Sequence, residues 1–326
     1  MKDRKCELIR CSSESYLTSF RGRNFNYDEF RKFSGLHPGR FRVIKNDLTS
    51  HTYGELVTVF YKASVDSTMN SIAYEELLDN TDYKKSEKSN SVRPWIIIAA
   101  RVQNNGLGRN NNLWLYTGEE QLYSTICMKL NYIDSPLYER VSLLPLASSI
   151  AVALSIRDAF NYYYANNKSP EIRLKWPNDV WIKGKGKCCG VKVNVDFKND
   201  DYMNISIGIG VNIRRNRQYT ALEDCVDGKI KFGKEVILGG IVKHLRDLIL
   251  LNPKMRNIRH KMFDKIIKLY SSMWMHKSGE VKFEAEWSSV ICIDDTGGLV
   301  IRTKDDISMV IYSYMYSNMQ WRIGKA

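Results

Sequence analysis

Lysine, tryptophan, proline, asparagine and aspartate stand side by side at Lys175-Trp176-Pro177-Asn178-Asp179. A cation, an amide and a carboxylate held beside a rigid proline could orient a nucleotide, its metal or an attacking amine. The same Pro-Asn-Asp run also favours a plain turn. Shortly after it comes Lys187-Cys188-Cys189-Gly190-Val191-Lys192-Val193-Asn194. Lys187 opens a strand there, so its ammonium could stand at the rim of a pocket, with a solvated lysine in a Gly-Lys turn as the bland alternative. The paired cysteines read as small buried residues rather than nucleophiles. Earlier, residues 103–114 read Gln-Asn-Asn-Gly-Leu-Gly-Arg-Asn-Asn-Asn-Leu-Trp. Gly106 and Gly108 let backbone N–H groups approach an anion, and Arg109 adds a planar fork that suits phosphate. Alone, this stretch reads first as a flexible solvated loop. Ile207-Gly208-Ile209-Gly210-Val211-Asn212 ends an apolar run with small residues, which permits close ligand approach or a simple bend.

Rigid elements must hold these four stretches. A strand is expected at Leu56 to Tyr61, followed by Ser67-Thr68 as the N-cap of a helix with Ile72, Ala73, Leu77 and Leu78 on its apolar face. Residues 79–93 read as a surface loop. Trp95 to Ala100 and Leu122 to Leu130 read as buried strands. Leu143, Ala147, Ile150, Ala151 and Leu154 recur at helical spacing and predict a buried helix of about 20 residues. Short strands are expected at Ile172 to Leu174 and Val180 to Ile182, and a strand pair at Gly190 to Val195 and Ile205 to Gly210. Two amphipathic helices follow, one on Val236, Ile237, Ile241, Leu245, Leu248 and Ile249, the other on Met255, Ile258, Met262, Phe263, Ile266 and Leu269. After Trp274 short strands alternate with turns such as Asp294-Asp295-Thr296-Gly297-Gly298, which predicts a small all-β unit. Residues 1–55 are polar, basic and weakly periodic. They read as an N-terminal extension of unknown role with little core of its own, ahead of a main domain over 56–272 and a β unit over 273–326.

The chain has 326 residues, 44% of them hydrophobic, enough for a sizeable core and about two domains. A net charge of +13 draws nucleotides, nucleic acid or an acidic protein without choosing among them. Seven cysteines without a Cys-x-x-Cys spacing argue against a disulfide framework or a zinc site, so no protein-held metal site is expected. No run of 18 apolar residues occurs, so no membrane span is expected. The N-terminus lacks a secretory apolar core, and Asp3, Glu7 and Glu14 count against a transit peptide. A cytoplasmic protein is expected, with organelle targeting left open.

In this order and spacing, the four stretches resemble the catalytic domain of biotin protein ligases, from about Leu56 to the C-terminus. Ser67-Thr68-Met69 is similar to the family's Ser-Thr-Asn, and residues 103–114 to its Gln-x-x-Gly-Arg-Gly-Arg-x-Gly-x-x-Trp. Lys175 to Asp179 matches its Lys-Trp-Pro-Asn-Asp unchanged, and Lys187-x-x-Gly190 its Lys-x-x-Gly. Gly190 to Asn194 resembles the eukaryotic Gly-Val-Leu-Val-Asn. Leu269-Tyr270 through Trp274, His276 and Ser278-Gly279 resembles the eukaryotic Leu-Tyr…Trp-x-His-Ser-Gly. The resemblance therefore points to the holocarboxylase synthetase type. It implies an α+β fold, a mixed sheet flanked by helices with a small C-terminal SH3-like β domain. It implies an enzyme that adenylates biotin with ATP and Mg2+ and passes it to a lysine of a carboxylase's carrier domain, as a monomer or homodimer.

By the same carry-over, Lys187, Arg109 and Asp179 are the catalytic residues. Ser67, Thr68, Gln103, Gly106, Gly108, Gly190, Gly208 and Gly210, with Arg109 and Lys187, hold biotin. Asn112, Trp114, Lys175, Asn178, Val211 and Asn212, again with Arg109 and Lys187, hold the adenylate. One departure stands out: Leu107 occupies a place where the family commonly has Arg or Lys, which implies looser retention of the intermediate. Two other readings remain. A lipoate ligase or acyl-carrier transferase shares the fold and is told apart by which ligand raises the melting temperature. A nucleic-acid-binding or repressor protein is supported by charge alone, since residues 1–55 carry no clear helix-turn-helix pattern.

Overall fold

The computed structural model describes residues 25–35, 41–43, 57–69, 95–109, 112–115, 118–131, 137, 139–164, 169–198, 202–249, 259–313 and 320–322. In chain order, the elements begin with α1 (Tyr27–Ser34), β1 (Phe41–Val43), β2 (Val57–Val65), β3 (Trp95–Gln103), β4 (Gly106–Leu107), β5 (Leu113–Trp114), β6 (Leu122–Asn131) and α2 (Leu144–Tyr163). They continue with β7 (Ile172–Lys175), β8 (Asp179–Ile182), β9 (Gly186–Lys198), β10 (Tyr202–Val211), α3 (Lys234–Ile249) and α4 (Arg259–Met273). Last come β11 (Glu280–Phe283), β12 (Glu286–Ile293), β13 (Leu299–Arg302), β14 (Ser308–Ile311) and β15 (Gln320–Arg322).

Eight strands form one mixed sheet in the order β1-β2-β3-β6-β10-β9-β8-β7. The first three run parallel, and every later neighbour is antiparallel. Because side chains alternate across a strand, the sheet presents two unlike faces. One carries Leu122, Ile126, Met128, Ile205, Ile207 and Ile209, which join the apolar residues of α2 and α3 in a single core. The other carries Thr125, Gly208, Gly210, Gly190 and Lys192, which the ladder places opposite or beside one another.

α2 is buried on nearly all sides, as a helix without a polar face must be. Pro145 lies in its first turn, where the missing N–H costs nothing. By length and composition it could cross a membrane, yet 78% of that apolar window is buried inside the fold. It is the core helix of the sheet's packed face. Its Ser155 hydroxyl donates to the Ile237 carbonyl of α3 at 2.6 Å.

The strands expected at 122–130, 172–174, 180–182, 190–195 and 205–210 are all present, as is the 20-residue helix. The helix expected at 72–78 and the start of the last helix, at Met255 and Ile258, lie outside the described residues. The domain boundary expected at residue 56 is corrected in one respect. β1 pairs in parallel with β2, so the sheet begins before it. α1 also belongs to the main body: Phe30 is fully buried, and a side chain at Gly239 of α3 would collide with the Phe30 carbonyl. Asn26 caps α1 by accepting from the Glu29 N–H at 3.1 Å, and Gly35 closes it in the left-handed region at φ 62°. Phe30→Ala is therefore expected to cost about 3–5 kcal/mol of stability. Urea unfolding checks this; an unchanged midpoint would mean that α1 is an appendage.

The residues after Trp274 form a separate antiparallel sheet, ordered β14-β13-β12-β11-β15. The turn at Asp294 to Gly298 is tied by the Asp294 carboxylate, which accepts from the Thr296 and Gly298 N–H groups at 2.9 and 2.8 Å. That turn docks on the main body. Arg140 donates to the Asp295 carbonyl at 2.6 Å, and the Trp176 indole N–H donates to the Gly297 carbonyl at 3.1 Å.

Candidate active site

On the second face of the sheet lies a cleft of about 310 Å³. Its near end is built by the turn after β2 and the end of β3. Gln103 Oε1 accepts from the Thr68 N–H at 2.9 Å and from its hydroxyl at 3.2 Å. The Thr125 hydroxyl donates to Thr68 Oγ1 at 2.9 Å, and Ser67 Oγ accepts from the Met69 N–H at 3.3 Å. All four side chains are buried, so a network of hydroxyls and an amide is fixed before any ligand arrives.

The far end carries the charges. β7 and β8 are joined by the turn at Trp176 to Asn178, with a cis peptide before Pro177. The turn aims Lys175, Asn178 and Asp179 at the cleft. Asn178 donates to the Val191 carbonyl of β9 and accepts from Arg109 at 3.3 Å. Arg109 also donates to the Ser313 carbonyl, just past β14 of the C-terminal sheet. Lys187 Nζ sits 2.7 Å from Asp179 Oδ1 and 5.6 Å from the Trp114 ring. Burial lowers the pKa of Arg109, and Asp179 opposes that. Burial also lowers that of Lys175; Asp179 opposes the shift and Lys187 adds to it. The cleft is thus a partly desolvated, cation-rich place with one carboxylate, Asp179, among the described residues lining it. No cluster of three His, Cys, Asp or Glu suited to a metal ion occurs among the described residues.

The stretch read as a loop over 103–113 is shaped into a hairpin. Gly106 pairs with Trp114 and Leu107 with Leu113, while the Gly108 N–H donates to the Asn112 carbonyl at 2.7 Å. Asn110 and Asn111 lie outside the described residues. The hairpin lays the Trp114 indole on the sheet where two strands lack side chains. A β-carbon at Gly190 would stand 2.8 Å from Trp114 Cζ3, and one at Gly210 would stand 2.5 Å from Trp114 Nε1. These two positions must be glycine for the indole to lie there. The buried indole Nε1 has no hydrogen-bond partner among the described residues.

Ser67, Thr68, Gln103, Gly108, Arg109, Asn112, Trp114, Lys175, Asn178, Asp179, Lys187, Gly190, Gly208 and Gly210 thus meet in one cleft, as expected from the sequence. Three expected residues do not reach its wall. Val211 lies on the core face of β10, between Leu122 and Cys189. Asn212 is turned away to the Thr220 carbonyl, 3.3 Å from its amide nitrogen. Gly106 is buried beneath Gln103 and the Trp114 backbone. Cys188 and Cys189 are fully buried, and burial pushes both thiols well above their usual range, as suits core residues.

Sequence reasoning missed Met69, Lys192 and Trp321 as cleft residues. Trp321, from β15, stacks on His276 with ring centroids 4.3 Å apart. His276 is 2% exposed, and its Nδ1 has no hydrogen-bond partner among the described residues. Burial, helped by Lys175, lowers its pKa from 6.5 to about 4. The folded state therefore holds the neutral ring, and the unfolded state takes up the proton first as pH falls below 6.5. Stability from this group is complete above that pH and drains away toward pH 4. About 2 kcal/mol should be lost between pH 7.5 and 5. His276→Phe should flatten that part of the pH–stability curve; an unchanged curve would count against it.

A mixed sheet with helices packed on one face thus carries a cation-rich cleft on the other. Residues 66–212 match the Biotin/lipoate A/B protein ligase family. The human biotin–protein ligase is 28% identical over 211 residues, covering 63% of this chain and 28% of that protein. The Bacillus subtilis bifunctional ligase/repressor BirA is 23% identical over 247 residues, covering 73% of this chain and 71% of that protein. The chain thus spans under a third of the human relative's length. In fold it is similar to the Aquifex aeolicus biotin protein ligase solved with biotin and ATP. That likeness has a TM-score of 0.53 at 21% identity and covers 82% of this chain and 99% of that one.

Proposed function

We propose that this chain is a biotin protein ligase of the eukaryotic type. The observation that carries the reading is the meeting of a neutral hydrogen-bonding end, Ser67-Thr68-Gln103, with a cationic end, Arg109-Lys175-Lys187, in one cleft of suitable size. The human and plant relatives support the eukaryotic type. A neutral polar head and an anionic tail are the two ends of biotin.

In the first step a biotin carboxylate oxygen bonds to the α-phosphorus of ATP, the α–β bridging P–O bond breaks, and pyrophosphate leaves. Lys187 and Arg109 lie where charge would gather on the phosphate oxygens, so they stabilise the transition state more than the reactants. Magnesium would enter on the phosphates, as it usually does, with Asp179 the one carboxylate near enough to meet it, and would share that charge. In the second step a lysine amine of a carboxylase's biotin carrier domain bonds to the acyl carbon and AMP leaves. Asp179, at the cleft rim, would orient that amine or take its proton. The hairpin of β4 and β5 would cover the adenylate and exclude water.

The test is exchange of labelled pyrophosphate into ATP by the purified full chain. Exchange that requires biotin and ignores lipoate is the expected result. Exchange driven by lipoate, or none from folded protein, would overturn the reading.

A further inference from the structure

Four cations among the described residues line the cleft, and three of them are engaged. Arg109 is held by Asn178 and Ser313, and Lys187 by Asp179. Lys175 lies over the Trp181 ring, its Nζ 5.3 Å from the centroid. The fourth, Lys192, is half-buried and has no hydrogen bond or ion pair among the described residues. A half-buried ammonium on the wall of a pocket calls for an anion.

Its place says which part of a ligand it would meet. Lys192 pairs with Gly208 across the ladder, so both point into the cleft. A β-carbon at Gly208 would stand 2.5 Å from Met69 Sδ, so the stem of Lys192 borders the near part of the cleft, beside Met69. Two positions back on the same face is Gly190, beside which Lys187 Nζ lies: a β-carbon there would be 3.4 Å from it. Residues two apart on a strand are separated by roughly 7 Å. Gly190 has no side chain of its own and the Trp114 ring covers it, so that ring is what lies between Lys192 and Lys187. Lys192 thus stands on the cleft wall between Met69 and the Trp114–Lys187 pair.

A swap accompanies this. The resemblance leads one to expect a cation at 107 and leucine at 192. The chain has leucine at 107 and lysine at 192, and both line the same cleft.

We propose that Lys192 is a further substrate-contacting residue, which binds the carboxylate of the acid substrate and supplies from the sheet the cation that the hairpin lacks at Leu107. The inference rests on the ligase reading and deepens it: the ligand class is an apolar carboxylic acid held by its charge, not by its ring alone.

Biotin and biotinol, its uncharged alcohol, separate the two contributions. Calorimetric affinities for both should be measured on wild type, Lys192→Leu and Lys192→Arg. Lys192→Leu is expected to weaken biotin roughly tenfold, as loss of one charge-assisted contact does, and to leave biotinol unchanged. Lys192→Arg should keep most of the preference for biotin. Adding Leu107→Lys to Lys192→Leu should restore it, which a merely structural role for Lys192 would not produce. Equal affinity of wild type and Lys192→Leu for biotin, or parallel loss of both ligands, overturns the proposal alone. Wild type that binds neither ligand overturns the ligase reading and this proposal with it.

Discussion

Lys187→Ala is expected to lower biotin-dependent exchange of pyrophosphate into ATP by about 100- to 1,000-fold, the usual cost of removing one preorganised charge-stabilising donor. The argument starts from position. Lys187 opens β9, and its ammonium is held 2.7 Å from Asp179, beside the bare face of Gly190 and 5.6 Å from the Trp114 ring. These three neighbours fix the ammonium in the cationic end of the cleft. The pair is open to solvent, with the two side chains 38% and 21% exposed, so it contributes little to folding. Lys187→Ala should therefore melt close to wild type while losing exchange, which separates a chemical defect from an unfolded protein. The loss should fall mainly in kcat, since a group that acts on charge developing at the α-phosphate matters most in the transition state. A variant within fivefold of wild type would move the role to Arg109, whose fork is held by Asn178 and Ser313.

Much of this site can be read from sequence because its chemistry is local. Lys175 to Asp179 is contiguous, and the structure makes of it one turn between two short strands. β6 and β10 announce themselves as apolar runs, and α2 as a long apolar helix, because burial on that side of the sheet is nearly complete. What escaped was set by distant contacts. The hairpin of β4 and β5 has two residues per strand, too few for any periodicity, and exists because Gly106 and Trp114 meet. Trp321 reaches the cleft from a three-residue strand between polar neighbours, and only the pairing of β15 with β11 brings it there. Arg109 finds its acceptor at Ser313, more than half the chain away. α1 did leave a trace, the Asn26 cap and Gly35 stop, but one buried Phe30 and one Ser34 make too thin a stripe to be told from a solvated segment. Lys192 was visible only as a mismatch with an expected leucine. The register with Gly208 is what turns the mismatch into a cation on the cleft wall.

Gly210→Val is expected to lower kcat/KM for ATP in the exchange reaction by about 100-fold. A β-carbon at position 210 would stand 2.5 Å from Trp114 Nε1 and 2.8 Å from Cζ2, and closer still to Cε2. Ordinary van der Waals contact begins near 3.5 Å, so either the indole leaves or β10 shifts. β10 is pinned by ladders to β6 on one side and β9 on the other, whereas the hairpin that carries Trp114 has solvent around Leu113 and Leu115. The indole is the part that yields. With it goes the aromatic surface on which an adenylate would rest, and the hairpin lifts from the sheet and admits water. A double-mutant cycle isolates this chain of cause. If the valine acts by expelling the indole, Trp114→Ala should already carry most of the defect. Adding Gly210→Val to Trp114→Ala should then cost little more, since nothing remains to be expelled. Defects that multiply would place the damage in the strand itself, and the contact between Trp114 and the bare face of β10 would be incidental to nucleotide use.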